Sequence, residues 1–180
     1  MAQGDSAAGT ARDGARSATA GLPTGVVWDE RYAWHDSGRA SRSPWAEPWP
    51  AMDTPESKRR LWNLLEVSGL ARSLHRIPAR EASREELHRL HDPDYVERIA
   101  RMSADGGGEA GENARFAGDG FAVASLAAGG CLVALEAGLD GTVANAYALV
   151  RPCGHHAERD RGRGFRIFGN VAEDVRQLKC

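Results

Sequence analysis

The passage that most constrains this chain runs from Asn145 to Val171: N-A-Y-A-L-V, then R-P-C-G-H-H-A-E-R-D-R-G-R-G-F-R-I-F-G-N-V. Asn145 to Val150 reads as a short buried strand, and the Pro152–Gly154 turn stops it. Adjacent His155 and His156 follow at once, on a loop at the carboxyl end of a strand, where α/β folds place their chemistry. Neighbouring residues on irregular backbone point in different directions, so the pair is not one chelating face. One imidazole can address a reacting group while the other acts separately, and both titrate near neutrality. The spacing also admits a plain reading, in which His-His occurs by chance and Gly154, Gly162, Gly164 and Gly169 only loosen a connection.

The rest of the chain reads as elements leading to that loop. Met1 to Gly21 lacks large apolar residues after Met1 and is expected to be disordered; order begins near Thr24, so residues 1–23 form a tail and 24–180 the folded part. Thr24–Trp28 has the β-branched and aromatic content of a first core strand. Tyr32, Trp34 and His35 fall in a polar loop before the Pro/Trp-rich Pro44–Pro50, with His35 expected at a surface or rim. Thr54-Pro55-Glu56 predicts a helix start capped by Thr54, with Leu61, Leu64, Leu65 and Trp62 as its buried stripe and Gly69 as its stop. Leu74–Pro78 reads as a short strand. Ser83 and Glu86 form a capping box for a helix through Leu87 and Leu90, and Pro93 opens another carrying Tyr95, Val96 and Ile99. His88 and His91 are three apart, yet they sit at a helix end without an H-E-x-x-H pattern, which favours a structural role over a metal site. Ala104–Ala117 reads as a Gly-rich loop, and the absence of a following Lys-Ser/Thr rejects a P-loop. Asp119–Glu136 predicts a helix whose small residues allow close packing on a sheet, with Gly138 closing it; Asn170–Leu178 starts another. The order strand, helices, strand, loop, helix predicts an α/β domain with a parallel sheet in three layers.

Composition narrows the function classes. With 180 residues the chain is long enough for one core, and a formal net charge of -2 gives no overall attraction to nucleic acid or anionic lipid. No apolar run is read as a membrane span. Cys131, Cys153 and Cys180 are an odd set without C-x-x-C spacing, which suggests a reducing compartment and no thiolate zinc site. The N-terminus carries no signal-peptide core, so a cytoplasmic location is expected. No sequence signal specifies an oligomeric state.

The histidine loop resembles the signature of the zinc-dependent histone deacetylase family, which includes acetylpolyamine amidohydrolases and histone deacetylase-like amidohydrolases. That family carries R/N-P-P-G-H-H-A, a short loop, then G-F-C-I-F-N-N-V-A. The matching residues are Arg151, Pro152, Gly154 to Ala157, Gly164, Phe165, Ile167, Phe168, Asn170, Val171 and Ala172; Cys153, Arg166 and Gly169 depart from the pattern. L-H-R-L-H-D-P-D-Y-V-E-R-I, from Leu87, resembles a structural segment of the same family.

The resemblance implies an arginase-like α/β fold from about Gly25 to Ala172, incomplete in this chain, and hydrolysis of an acyl-lysine-like amide on a protein or polyamine. In the complete family domain Zn2+ polarises a water and the acyl carbonyl. The resemblance makes His156 the general base and His155 its electrostatic and proton-transfer partner. It also makes Phe165 a wall of the acyl-lysine tunnel, Gly154 a point of close substrate approach, and Glu112 an acid that holds substrate backbone amides at the mouth. The family's Asp-x-His ligand pair has no counterpart here, and the resemblance places the metal ligands beyond Cys180. The chain therefore reads as the N-terminal portion of such a domain, expected neither to bind zinc nor to turn over alone. Two alternatives stay open: a non-enzymatic remnant or interaction fragment, and a nucleic-acid- or phosphate-binding loop built from Arg159, Arg161, Arg163 and Arg166 with interleaved glycines.

Overall fold

A computed structural model describes residues 21–37 and 53–170. The expected tail, Pro44–Pro50 and the helix after Asn170 fall almost wholly outside these residues.

The centre is a parallel three-stranded sheet ordered β2-β1-β6, with β1 at Thr24–Val27, β2 at His75–Ile77 and β6 at Asn145–Ala148. Strand β1 pairs Val26 with Arg76 and with Tyr147, so it lies in the middle and both its faces must be covered. Its alternating side chains show how. Val27 packs with Ile77, Ala134, Ala137 and Val143 on one face, whereas Val26 packs with Trp62, Ala71 and Leu149 on the other. The first face is closed by helix α4 (Gly120–Leu139) and the second by helix α1 (Glu56–Val67). This is the three-layer arrangement expected from sequence, with α2 (Arg84–His88) and α3 (Pro93–Ala104) beside it.

Helix α4 is apolar on nearly all sides, long and apolar enough by length and composition to cross a membrane, and mostly buried inside the fold. Burial on most sides accounts for that composition and corrects the expectation that no apolar run is of membrane-spanning length. Its glycines mark close approaches. A Cβ on Gly129 would collide with the Arg80 carbonyl and lie 2.6 Å from the Ala82 nitrogen. There the Ala82 amide donates to the Ser125 carbonyl at 2.9 Å, so the chain from Arg80 to Ala82 lies directly on the helix.

Several local expectations are corrected. Helix α1 begins after Pro55 with no side-chain cap, so Thr54 does not cap it. Trp62 is buried but Leu64 is 63% exposed, because the buried stripe follows Leu61, Trp62 and Leu65. Gly69 does end α1, in a left-handed conformation (φ 80). The Ser83–Glu86 capping box forms as read, but its helix stops at His88. The Gly-rich stretch is ordered into β3 (Gly107–Glu109), β4 (Gly111–Glu112) and β5 (Arg115–Ala117). Helix α4 passes through Gly138 to Leu139, and Gly141 (φ 77) makes the turn instead. Strand β6 lies at the sheet edge among the described residues, with Tyr147 56% exposed.

These contacts set apart two glycines of one helix. Gly129→Ala should destabilise the protein by about 1–3 kcal/mol through overpacking. Gly138→Ala meets nothing within 4 Å and should stabilise by about 0.5–1 kcal/mol through helix propensity. Urea unfolding of both variants checks the pair, and equal effects would contradict the packing.

Candidate active site

Four anchors fix the loop that leaves β6. The first is Arg151, 2% exposed although it carries a charge. Its guanidinium donates to the carbonyls of His35 and Asp53. It also lies 3.2 Å from the Asp53 carboxylate, close enough for an ion pair though not aligned as a hydrogen bond. The peptide that follows, Arg151–Pro152, is cis. The second anchor is Asn170, whose side-chain amide donates to the Pro152 carbonyl at 3.1 Å. Here Gly154 explains itself: a Cβ would stand 2.8 Å from the Asn170 Cβ. Among the described residues, the close approach at Gly154 is therefore made by Asn170.

The third anchor comes from the α2–α3 junction. His91 is fully buried. The Gly169 amide donates to its Nε2 at 2.9 Å, which leaves Nδ1 as the protonated nitrogen, donating to the Arg159 carbonyl at 3.1 Å. One neutral imidazole thus joins the two arms of the loop, and the Tyr95 hydroxyl donates to the Ile167 carbonyl at 2.7 Å beside it. The structural reading of the His88/His91 pair holds for His91, which spends both ring nitrogens on backbone.

The fourth anchor is β4, which pairs in parallel with β7 (Gly162–Arg163). The Glu112 carbonyl accepts from the Gly164 amide at 2.8 Å, and the Asn113 carbonyl accepts from the Phe165 amide at 2.7 Å. Asn113 (φ 54) and Phe165 (φ 71) both adopt left-handed backbone, a costly conformation for a phenylalanine. The Phe165 side chain is half-buried on this turn.

Within this frame His155 and His156 sit on an exposed turn with ring centroids 4.2 Å apart. Partial burial, the nearby Arg166 cation and the His156 ring hold the His155 pKa below the ordinary histidine value. Glu112 stands on the same rim, its carboxylate 3.1 Å from Arg163 Nε. The expected residues His155, His156, Phe165, Gly154 and Glu112 are therefore gathered on one loop and its supporting strand. The arrangement places two imidazoles, groups that can accept and give protons, on the loop that also carries Phe165. No three His, Cys, Asp or Glu side chains converge to hold a metal among the described residues. The described side chains do not fit a zinc site by themselves.

Two expectations change. His35 is not a rim residue: it is 2% exposed, and neither ring nitrogen has a hydrogen-bond partner among the described residues. Burial, reinforced by the Arg151 cation, pushes its pKa down to about 3. Three of the four loop arginines are also engaged by carboxylates, Arg166 being the exception among the described residues. Arg159 pairs with Asp92, Arg161 with Glu158, and Arg163 with Glu112 and Glu158. What the sequence did not reveal was the Arg151 clamp; its one signal was a charged residue directly at the end of an apolar strand.

A three-layer α/β scaffold with a paired-histidine loop clamped at the end of a sheet strand is that of the arginase/deacetylase-like hydrolases. The histone deacetylase domain matches residues 52–180, and the chain belongs to that family. A histone deacetylase-like amidohydrolase of Pseudomonas aeruginosa is 40% identical over 164 residues, covering 87% of this chain and 43% of the relative. The polyamine deacetylase HDAC10 of Homo sapiens is 37% identical over 145 residues, covering 77% of this chain and 22% of its own length. The crystal structure of an HDA15 HD domain superposes with a TM-score of 0.76 at 28% identity, covering 88% of this chain and 44% of that one. The chain thus spans less than half the length of these relatives.

The buried imidazoles give a pH signature. Both His35 and His91 are held neutral, their pKa values lowered mainly by burial, while in the unfolded chain they titrate near the ordinary 6.5. Their stabilisation is complete above that value and is lost as pH falls below it, because the unfolded state then binds more protons. The unfolding free energy should drop from about pH 7 to about pH 5, by up to ~1.4 kcal/mol per pH unit for each group. Asp29 and Glu86, held low by Arg31 and Arg80, stay charged throughout this window. Urea unfolding across the range checks it; a flat profile would contradict the buried neutral pair.

Proposed function

We propose that this chain supplies the proton-transfer and acyl-channel half of a zinc-dependent deacylase site that hydrolyses an amide on a lysine or polyamine. The observation that carries the reading is the exposed His155–His156 pair, clamped beside Phe165 in the loop after β6. In this reading His156 takes the proton of the attacking water and returns one to the leaving amine. His155, its proton affinity lowered, tunes that exchange from the adjacent turn. Phe165 lines the acyl-lysine channel, and Glu112 at the rim accepts hydrogen bonds from substrate amides. Bound zinc would supply Lewis-acid activation of the water and acyl carbonyl, with ligands drawn from sequence that complements these residues. Function in a reducing compartment such as the cytoplasm agrees with three cysteines, an odd set without C-x-x-C spacing.

The substrates named for the relatives, histones and polyamines, set the two arms of the test. The chain alone, supplied with zinc, should give no chelator-sensitive turnover of an acetyl-lysine peptide or an acetylated polyamine. Fusing it to the part of the Pseudomonas aeruginosa relative that lies beyond the matched region should restore zinc-dependent turnover of at least one of them. Turnover by the chain alone would overturn the division of labour. A folded, zinc-loaded fusion without turnover would favour a non-enzymatic interaction fragment.

A further inference from the structure

Arg166 carries a charge that the loop does not neutralise. Its neighbours Arg159, Arg161 and Arg163 each pair with a carboxylate, whereas Arg166 has none among the described residues. One guanidinium nitrogen donates to the Gly164 carbonyl. Its Nε is sealed from solvent with no acceptor among the described residues. Leaving a half-buried cation without a counter-charge is unfavourable, and the carboxylate of Glu112, whose carbonyl receives the adjacent Gly164 amide, is already engaged by Arg163 at 3.1 Å.

The position of this cation says what it can meet. A Cβ built on Gly164 would lie 3.1 Å from the His156 ring and 3.5 Å from Arg166 Nη1, so imidazole and guanidinium flank one point of the loop. Phe165 stands between Gly164 and Arg166 in the chain, with its backbone held in the left-handed region (φ 71). A ligand that reaches the histidine pair along this aromatic ring therefore also comes within range of the cation. A neutral acetyl group would leave the guanidinium unpaired; an acyl chain ending in a carboxylate would neutralise it by a charge-assisted hydrogen bond.

We propose that Arg166 makes this loop selective for acyl amides whose acyl group ends in a carboxylate, as in a glutaryl or succinyl amide of a lysine or polyamine. This rests on the deacylase reading above and deepens it by naming the acyl class. The positive charge acts as a specificity determinant, while the histidines keep the proton-transfer role.

The test is an NMR titration of the 180-residue chain, following the imidazole C–H signals of His155 and His156. The ligands are Nε-glutaryl-lysine amide, Nε-acetyl-lysine amide and free glutarate. The glutaryl ligand should bind about tenfold more tightly than the acetyl ligand, as expected for one hydrogen-bonded ion pair. Arg166→Cys should abolish the difference and Arg166→Lys should keep most of it, with the His75 signal reporting that each variant remains folded. Equal binding of the two lysine ligands, or a preference that survives Arg166→Cys, overturns the proposal and leaves the deacylase reading standing. Free glutarate binding as well as the glutaryl ligand also overturns it, reducing the site to an anion trap. Response to none of the ligands overturns the proposal, while the deacylase reading is decided separately by turnover of the fusion.

Discussion

The structure depends on one buried charge. Arg151 sits where β6 ends, and its guanidinium is shared among backbone carbonyls on the first loop and the Asp53 segment that precedes α1. An arginine buried to 2% exposure is tolerable only when its donors are used and its charge is compensated. Those demands fix where three stretches distant in sequence must meet. The histidine loop begins at the next residue, so its starting point is set by electrostatics rather than by apolar packing. His35, its carbonyl engaged by Arg151, is thereby drawn into the interior and kept neutral.

The far end of the loop is held by a different chemistry. His91 and Tyr95 give their polar atoms to the loop backbone and pack their rings against Phe168, with ring centroids 5.4 and 6.2 Å away. Aromatic packing and hydrogen bonding therefore act on the same few residues. Between these fixed ends the turn carrying His155 and His156 is free to face solvent. That is the division a site of this kind needs: a rigid frame supports an exposed pair of imidazoles.

Much of this was legible in sequence where local rules dominate. The Ser83–Glu86 capping box, Pro93 at a helix start, the apolar run of α4 and the strand before Arg151 follow from short-range patterns, and each is found. The G-H-H-A and G-F strings also named the residues that the fold gathers. Tertiary context decided the rest. Leu64 was counted as buried because a helix stripe read alone does not show which edge the sheet covers. The pairing of β4 with β7 links residues some fifty positions apart, and no local signal reports such a contact. His35 looked like a polar loop residue because its burial comes from Arg151, far along the chain. The close packing of Asn170 on Gly154 is likewise a contact between residues distant in sequence.

In the proposed function His156 moves protons and does not hold metal. This assignment is tested most directly by His156→Ala in the zinc-loaded fusion, with turnover and zinc content measured on the same sample. A general base removed from an intact metal site should cost at least ~100-fold in turnover and leave the zinc stoichiometry unchanged. Wild-type turnover would show that the loop's histidine takes no part in the chemistry, and loss of zinc from a folded variant would make it a ligand.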